Sequence, residues 1–143
     1  MRPSKDSYYL NIAKEVARRS TCLRRQYGAV IVKDDVIVST GYNGSARGEE
    51  NCCDKGECWR ESHDIPHGEQ YEKCRAVHAE MNAVIHANRS DTQGATLYLA
   101  GIENGRFIRS PRPCEICSRV IKNAGIERIV TYVERDPAPG LSN

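Results

Sequence analysis

The sequence contains no long apolar run and no block of one charge. No stretch approaches the roughly 20 apolar residues of a membrane span, which excludes a transmembrane helix. The opening stretch, MRPSKDSYYLNIAKEVARRS, has no apolar core of the kind a secretory signal carries, so cytosolic residence is expected. The 21 Lys and Arg are interspersed with 19 Asp and Glu, for a net charge of +2. Charge alone therefore points to neither a nucleic-acid surface nor a membrane surface. No internal repeat is present.

Cysteine, by contrast, is abundant. The seven are Cys22, Cys52, Cys53, Cys58, Cys74, Cys114 and Cys117. Their count is odd, and no export signal accompanies them. In a reducing compartment, clustered cysteines bind metal or carry chemistry more often than they form disulfides.

The remaining composition is that of a globular chain, 39% hydrophobic and 28% charged. A length of 143 residues fits one domain, 1–143, with an irregular tail over 134–143. Residues 4–20 place Tyr8, Ile12 and Val16 on one helical stripe, with Ala13 and Ala17 alongside. YGAVIVKDDVIVSTGY reads as two strands around Lys33-Asp34-Asp35, without the favoured Asn-Gly or Asp-Gly turn. Residues 43–73 are rich in Gly, Cys, His and charge and have no period; a loop that long is functional or held by something. A helix over 78–89, a buried strand over 95–101, a loop, a helix over 114–125 closed by Gly125, and a strand over 126–133 follow. Helices alternating with strands imply right-handed crossovers and parallel neighbours. The expected fold is α/β: a three-layer α/β/α sandwich around a mixed sheet of four to five strands, with an antiparallel hairpin at one end.

Two short motifs carry chemistry. In RPCEIC, Cys114 and Cys117 are three apart at the start of a predicted helix, so both sulfurs share its first turn. Helix N-terminal N–H groups and the helix dipole favour thiolates there. A lone C-x-x-C would be zinc or redox with little to choose between them. The second motif, VHAE, also heads a helix. In a parallel sheet, two such junctions bring both helix N-termini to the edge where ligands bind. His78, Cys114 and Cys117 then form a three-ligand set, and a catalytic zinc keeps a fourth position for water. Glu80 is left as the general acid/base. His78 and Glu80 are two apart, about 200° on a helix, so they converge only if both lie in the first turn and the metal lies off its end.

HAE followed by PCEIC resembles the signature of the zinc-dependent cytidine deaminase superfamily. TCLRRQYGAVIVKDD, STGYNGS, CRAVHAEMNAV and RVIKNAGIERIV are similar to its deoxycytidylate (dCMP) deaminase branch, and the resemblance runs from about Ser7 to Val133. It implies hydrolysis of dCMP to dUMP and ammonia, with Glu80 moving the protons. It implies substrate contacts from Asn43 of GYNG and from backbone near Ala79 and Cys114. It suggests Arg89 for the phosphate, with Arg106, Arg109 and Arg112 as further candidates. It also implies a second, structural zinc on Cys22, Cys53, Cys58 and Cys74, with Cys52, His63 and His67 as substitutes, which would order the long loop. Ala46 stands where the branch often has Pro, which allows a more flexible substrate loop. A sheet ending soon after residue 133 would leave an edge for a partner subunit. The resemblance accordingly implies a homo-oligomer, a hexamer in many relatives, with dCTP and dTTP as effectors.

Three other readings remain open at this stage. They are deamination of dCTP or another free cytosine nucleotide, deamination of tRNA, and a zinc-stabilised module without catalysis.

Overall fold

The computed structural model describes residues 2–66, 74 and 76–134. His67 and the tail beyond Glu134 lie outside the described residues.

Helix α1 (Lys5–Ala17) is capped by Ser4, whose Oγ accepts from Ser7 N–H. Its buried stripe is Tyr9, Leu10, Ala13 and Ala17, rotated from the expected one, and Tyr8 is 52% exposed. Both registers are apolar, and packing against the sheet chooses between them. Ala13 and Ala17 win because Gly28 of β1 (Arg25–Lys33) approaches the α1 backbone. A Cβ on Gly28 would stand 2.3 Å from the Ala13 carbonyl oxygen.

Strand β2 (Val36–Tyr42) pairs antiparallel with β1, closing at Lys33↔Val36. Asp34 and Asp35 both have positive φ, 51° and 62°. That is the type I′ requirement, and short polar side chains tolerate it without glycine. The next stretch is less irregular than its composition suggests. Strand β3 (Gly44–Ser45) pairs with β4 (Ala76–Val77), and helices α2 (Cys52–Lys55) and α3 (Trp59–Ser62) lie between them.

Helix α4 (Ala79–His86) is shorter than expected. Ala87 is extended, and Asn88 begins a new turn, α5 (Arg89–Thr92). Strand β5 (Thr96–Glu103) follows and pairs with β1 along its whole length, antiparallel. Asn104 and Gly105, with φ of 53° and 75°, return the chain into β6 (Arg106–Phe107), a hairpin where a loop was expected. The Asn-Gly signal was present in the sequence. Helix α6 (Glu115–Asn123) ends ahead of Gly125 at φ 81°, and β7 (Arg128–Val130) pairs parallel with β5.

The sheet is thus β2-β1-β5 with β6 and β7 sharing the far side of β5: five strands, mixed, with one parallel pair. Helix α1 covers one face around Val30, Tyr98 and Ala100, and α4 and α6 cover the other around Ile31, Leu97 and Leu99. The expected three-layer α/β/α architecture is therefore present. No helix among the described residues is long and apolar enough to cross a membrane.

Candidate functional site

The position of α4 follows from two backbone facts. Ala79 and Ala83, both fully buried, face the sheet, and Gly41 of β2 lets the helix settle onto the strand. A Cβ on Gly41 would lie 2.4 Å from Ala83 N and 2.5 Å from the Ala79 carbonyl oxygen. Polar bonds then pin α4 to the edge strand. Ser39 Oγ donates to the Ala83 carbonyl at 2.7 Å, Asn82 Nδ2 to the Tyr42 carbonyl at 2.9 Å, and the His86 Nδ1 to the Thr40 carbonyl at 2.7 Å.

His78 is the N-cap of α4 and Cys114 is the N-cap of α6. Both have extended backbone, which swings their side chains past the ends of the helices. The His78 Nδ1 lies 3.2 Å from Cys117 Sγ and 3.5 Å from Cys114 Sγ. Cys117 N–H donates to Cys114 Sγ at 3.4 Å, so the helix terminus itself supports that sulfur. Among the described residues, this is the one group of three or more His, Cys, Asp or Glu whose ligand atoms all lie within 4.8 Å of one another. One imidazole and two thiols form a nitrogen–sulfur donor set suited to zinc, with room for a fourth partner. Burial, and next the charge of Arg60, lower the His78 pKa, keeping the neutral imidazole that a metal needs. Burial raises that of Cys117, with the nearby Glu80 charge adding to it. That opposes thiolate formation until a cation takes the sulfur.

Glu80 follows in the first turn of α4 and is only 5% exposed. Its carboxyl lies beside Cys117 yet stands outside the ligand group. Burial raises its pKa, partly offset by a backbone hydrogen bond. A carboxyl moved up toward neutrality can both take and return a proton.

Above these residues opens a cavity of about 560 Å³ bordered by His78, Glu80, Cys114, Asn43 and Tyr27. That volume suits a small molecule. Asn43 is therefore on the wall, as the sequence suggested. Ala79 is not: its side chain is in the core, and only its first-turn N–H points the way of the helix end.

The phosphate candidate Arg89 does not border the cavity. It is exposed beyond the break at Ala87, and its Nη1 donates to the Asn123 carbonyl at 3.4 Å. Of the loop arginines, Arg112 borders the cavity. Arg106 lies in exposed β6, and Arg109 sits over the Tyr132 ring, 5.0 Å from its centroid. The cations that do border the cavity with Arg112 are Arg24, Arg25 and the buried Arg60. None of the three stands out in the sequence alone. RRQ after Cys22 and WRE after Cys58 were the available signals, but arginines are usually solvated.

The second set of cysteines is corrected in one member. Cys22, Cys52, Cys58 and Cys74 border the cavity, whereas Cys53 is exposed with its thiol toward Asp54. Adjacent residues of a helical turn point about 100° apart, so only one of Cys52 and Cys53 can face inward. Burial, followed by the charge of Cys52, pushes the Cys22 thiol up to about 12. These four sulfurs are not gathered within 4.8 Å. His63 is exposed beside Ser62.

Residues 3–133 match the family described as the cytidine and deoxycytidylate deaminase zinc-binding region. The chain is 41% identical over 134 residues to the deoxycytidylate deaminase of Mycobacterium phage D29, covering 90% of this chain and 94% of that one. It is 36% identical over 132 residues to the deoxycytidylate deaminase of Schizosaccharomyces pombe, covering 92% of this chain but 38% of that longer protein. The solved dCMP deaminase of cyanophage S-TIM5, in complex with dCMP and dUMP, superposes with a TM-score of 0.60 at 26% identity, covering 90% of this chain and 81% of that one.

Proposed function

We propose that this chain, which belongs to the cytidine and deoxycytidylate deaminase zinc-binding family, hydrolyses dCMP to dUMP and ammonia. The observation that carries this reading is the buried Glu80 beside, but not within, the His78–Cys114–Cys117 group at the floor of the cavity. A purely structural metal site has no use for a desolvated acid held next to its ligands.

His78, Cys114 and Cys117 hold the zinc. Bound there, it supplies the Lewis acidity that makes water nucleophilic at neutral pH. Glu80 takes the proton of the water that attacks C4 of cytosine and passes it to the ring nitrogen. It then delivers the second water proton to the departing amine, so that ammonia leaves and the carboxylate is restored. Asn43 and the first-turn N–H of Ala79 orient the nucleotide. The guanidinium groups of Arg24, Arg60 and Arg112 supply positive charge for its phosphate.

Four further parts of this reading are also proposals. The cavity cysteines, with Cys52 in place of Cys53, hold a second zinc that ties α2 to the cavity wall. The chain acts as one domain, in keeping with a family match that runs unbroken over residues 3–133. It associates with itself, as a hexamer, through sheet edges where Val36 of β2 and Ile129 of β7 are exposed. Effector control by dCTP and dTTP is read out as a shift in the dCMP saturation curve.

The test is ammonia release from dCMP, dCTP, deoxycytidine and a tRNA anticodon stem-loop. The expected order places dCMP first. A preference for any of the others would replace the substrate.

A further inference from the structure

Asn43 borders the cavity yet is only 8% exposed, because the protein uses most of its amide. Its Oδ1 accepts from the Tyr27 N–H at 2.8 Å and from the Ser20 hydroxyl at 2.6 Å. Its Nδ2 donates to the Arg25 carbonyl at 2.9 Å. A primary amide has two lone pairs and two protons, so both acceptor sites and one donor are taken. One N–H is left. Turning the amide over would set its protons against the Tyr27 N–H and its oxygen against the Arg25 carbonyl, so the network allows one orientation.

Ser20 is held in turn. It follows the last turn of α1, with its N–H on the Ala17 carbonyl at 3.1 Å. Its Oγ accepts from the Cys22 N–H at 3.2 Å, and its one proton is shared between Asn43 Oδ1, the nearer acceptor, and the Asn43 carbonyl oxygen at 2.8 Å. The hydroxyl therefore bridges the end of α1 to the cavity wall.

We infer that Ser20 is a positioning residue for substrate recognition: by occupying Asn43 Oδ1, it leaves Asn43 as a single N–H donor that binds an acceptor oxygen of the nucleotide's sugar. This rests on the dCMP reading. With the cytosine amine at Glu80 and the phosphate among the guanidinium groups, the sugar is the part left for Asn43. The sugar 3′-oxygen accepts from Asn43, and its own proton goes elsewhere.

The experiment is steady-state kinetics with dCMP and with its 3′-deoxy analogue, on the wild type, Ser20→Ala, Ser20→Cys and Ser20→Thr. In the wild type the analogue has a KM about tenfold higher, the worth of one good hydrogen bond. Ser20→Ala raises KM for dCMP several-fold, leaves kcat within about twofold, and leaves KM for the analogue unchanged. Ser20→Cys, which keeps the volume but offers only a weak donor, shifts KM the same way. Ser20→Thr, which keeps the hydroxyl, restores it. Equal KM increases on both nucleotides, or a loss confined to kcat, would overturn the positioning role. A wild type that deaminates neither nucleotide would overturn the dCMP reading itself.

Discussion

The Nδ1 of His78 lies 3.5 Å from the Sγ of Cys114, although 36 residues separate them in the chain. Each residue is the N-cap of a different helix, and the two helices pack on the same face of the sheet. The contact is therefore made by two helix ends meeting tip to tip. Replacing Cys114 with Ala should remove about one zinc per chain, because two remaining ligands hold the metal weakly. Metal analysis of the purified variant checks this, and unchanged zinc content would remove Cys114 from the ligand set.

Glu80→Gln should retain zinc and fold while lowering kcat by about 10²–10⁴, the usual worth of a positioned acid/base. A rate near wild type would exclude Glu80 from proton transfer. The same variant has a pH signature in the metal-free protein. Burial raises the Glu80 pKa above 4.5, so the native state holds this proton at pH values where the unfolded chain has lost it. The stability tied to the neutral acid is full below pH 4.5 and is lost as pH rises through the folded value. Chelator-treated Glu80→Gln should therefore gain stability over wild type at pH 8 and show little difference at pH 4, as read by denaturant melts.

Cys52→Ser should cost about one zinc per chain, whereas Cys53→Ser should cost none. The two residues are neighbours of equal chemistry, so the difference isolates the direction in which each points. Equal zinc content in the two variants would end the second-metal reading.

Arg112→Ala should raise KM for dCMP about tenfold, the loss of one charge-assisted bond, and leave deoxycytidine turnover unchanged. Arg89→Ala should change neither by more than about twofold, since its guanidinium lies against the Asn123 carbonyl beyond the break in α4. A larger effect of Arg89 than of Arg112 on dCMP would reverse this assignment.

Gly41→Ala should destabilise the protein by roughly 1–3 kcal/mol and lower activity with it. The added methyl meets the backbone of α4 at Ala79 and Ala83, which cannot rotate away. The helix that carries His78 and Glu80 has to move instead. Thermal unfolding and kcat measured together check the coupling.

His78, Glu80, Cys114 and Cys117 could be read from the sequence because metal chemistry restricts both residue type and spacing. Only a few side chains ligate zinc, and two of them at the head of a helix must sit three apart. The requirement that His78 and Glu80 share a first turn followed from helix geometry alone, and α4 begins at Ala79, between them. The layered α/β/α architecture and the β1–β2 hairpin were equally accessible, because alternating helices and strands limit the topologies; the order of the strands was not. The Asn104-Gly105 turn is legible in the same way, since Asn-Gly is the residue pair that a two-residue hairpin favours.

What the tertiary structure decided was direction. Whether Cys52 or Cys53 faces inward, whether Tyr8 or Tyr9 is buried, and whether Arg89 or Arg112 reaches the cavity each depend on a rotation of one residue or on a helix break. Neighbouring residues of the same type have the same propensity, so local sequence cannot separate them; packing against the sheet does. The Ser20–Asn43 bond belongs here too. It joins the end of α1 to the end of β2, and neither segment specifies the other until the sheet brings them to 2.6 Å.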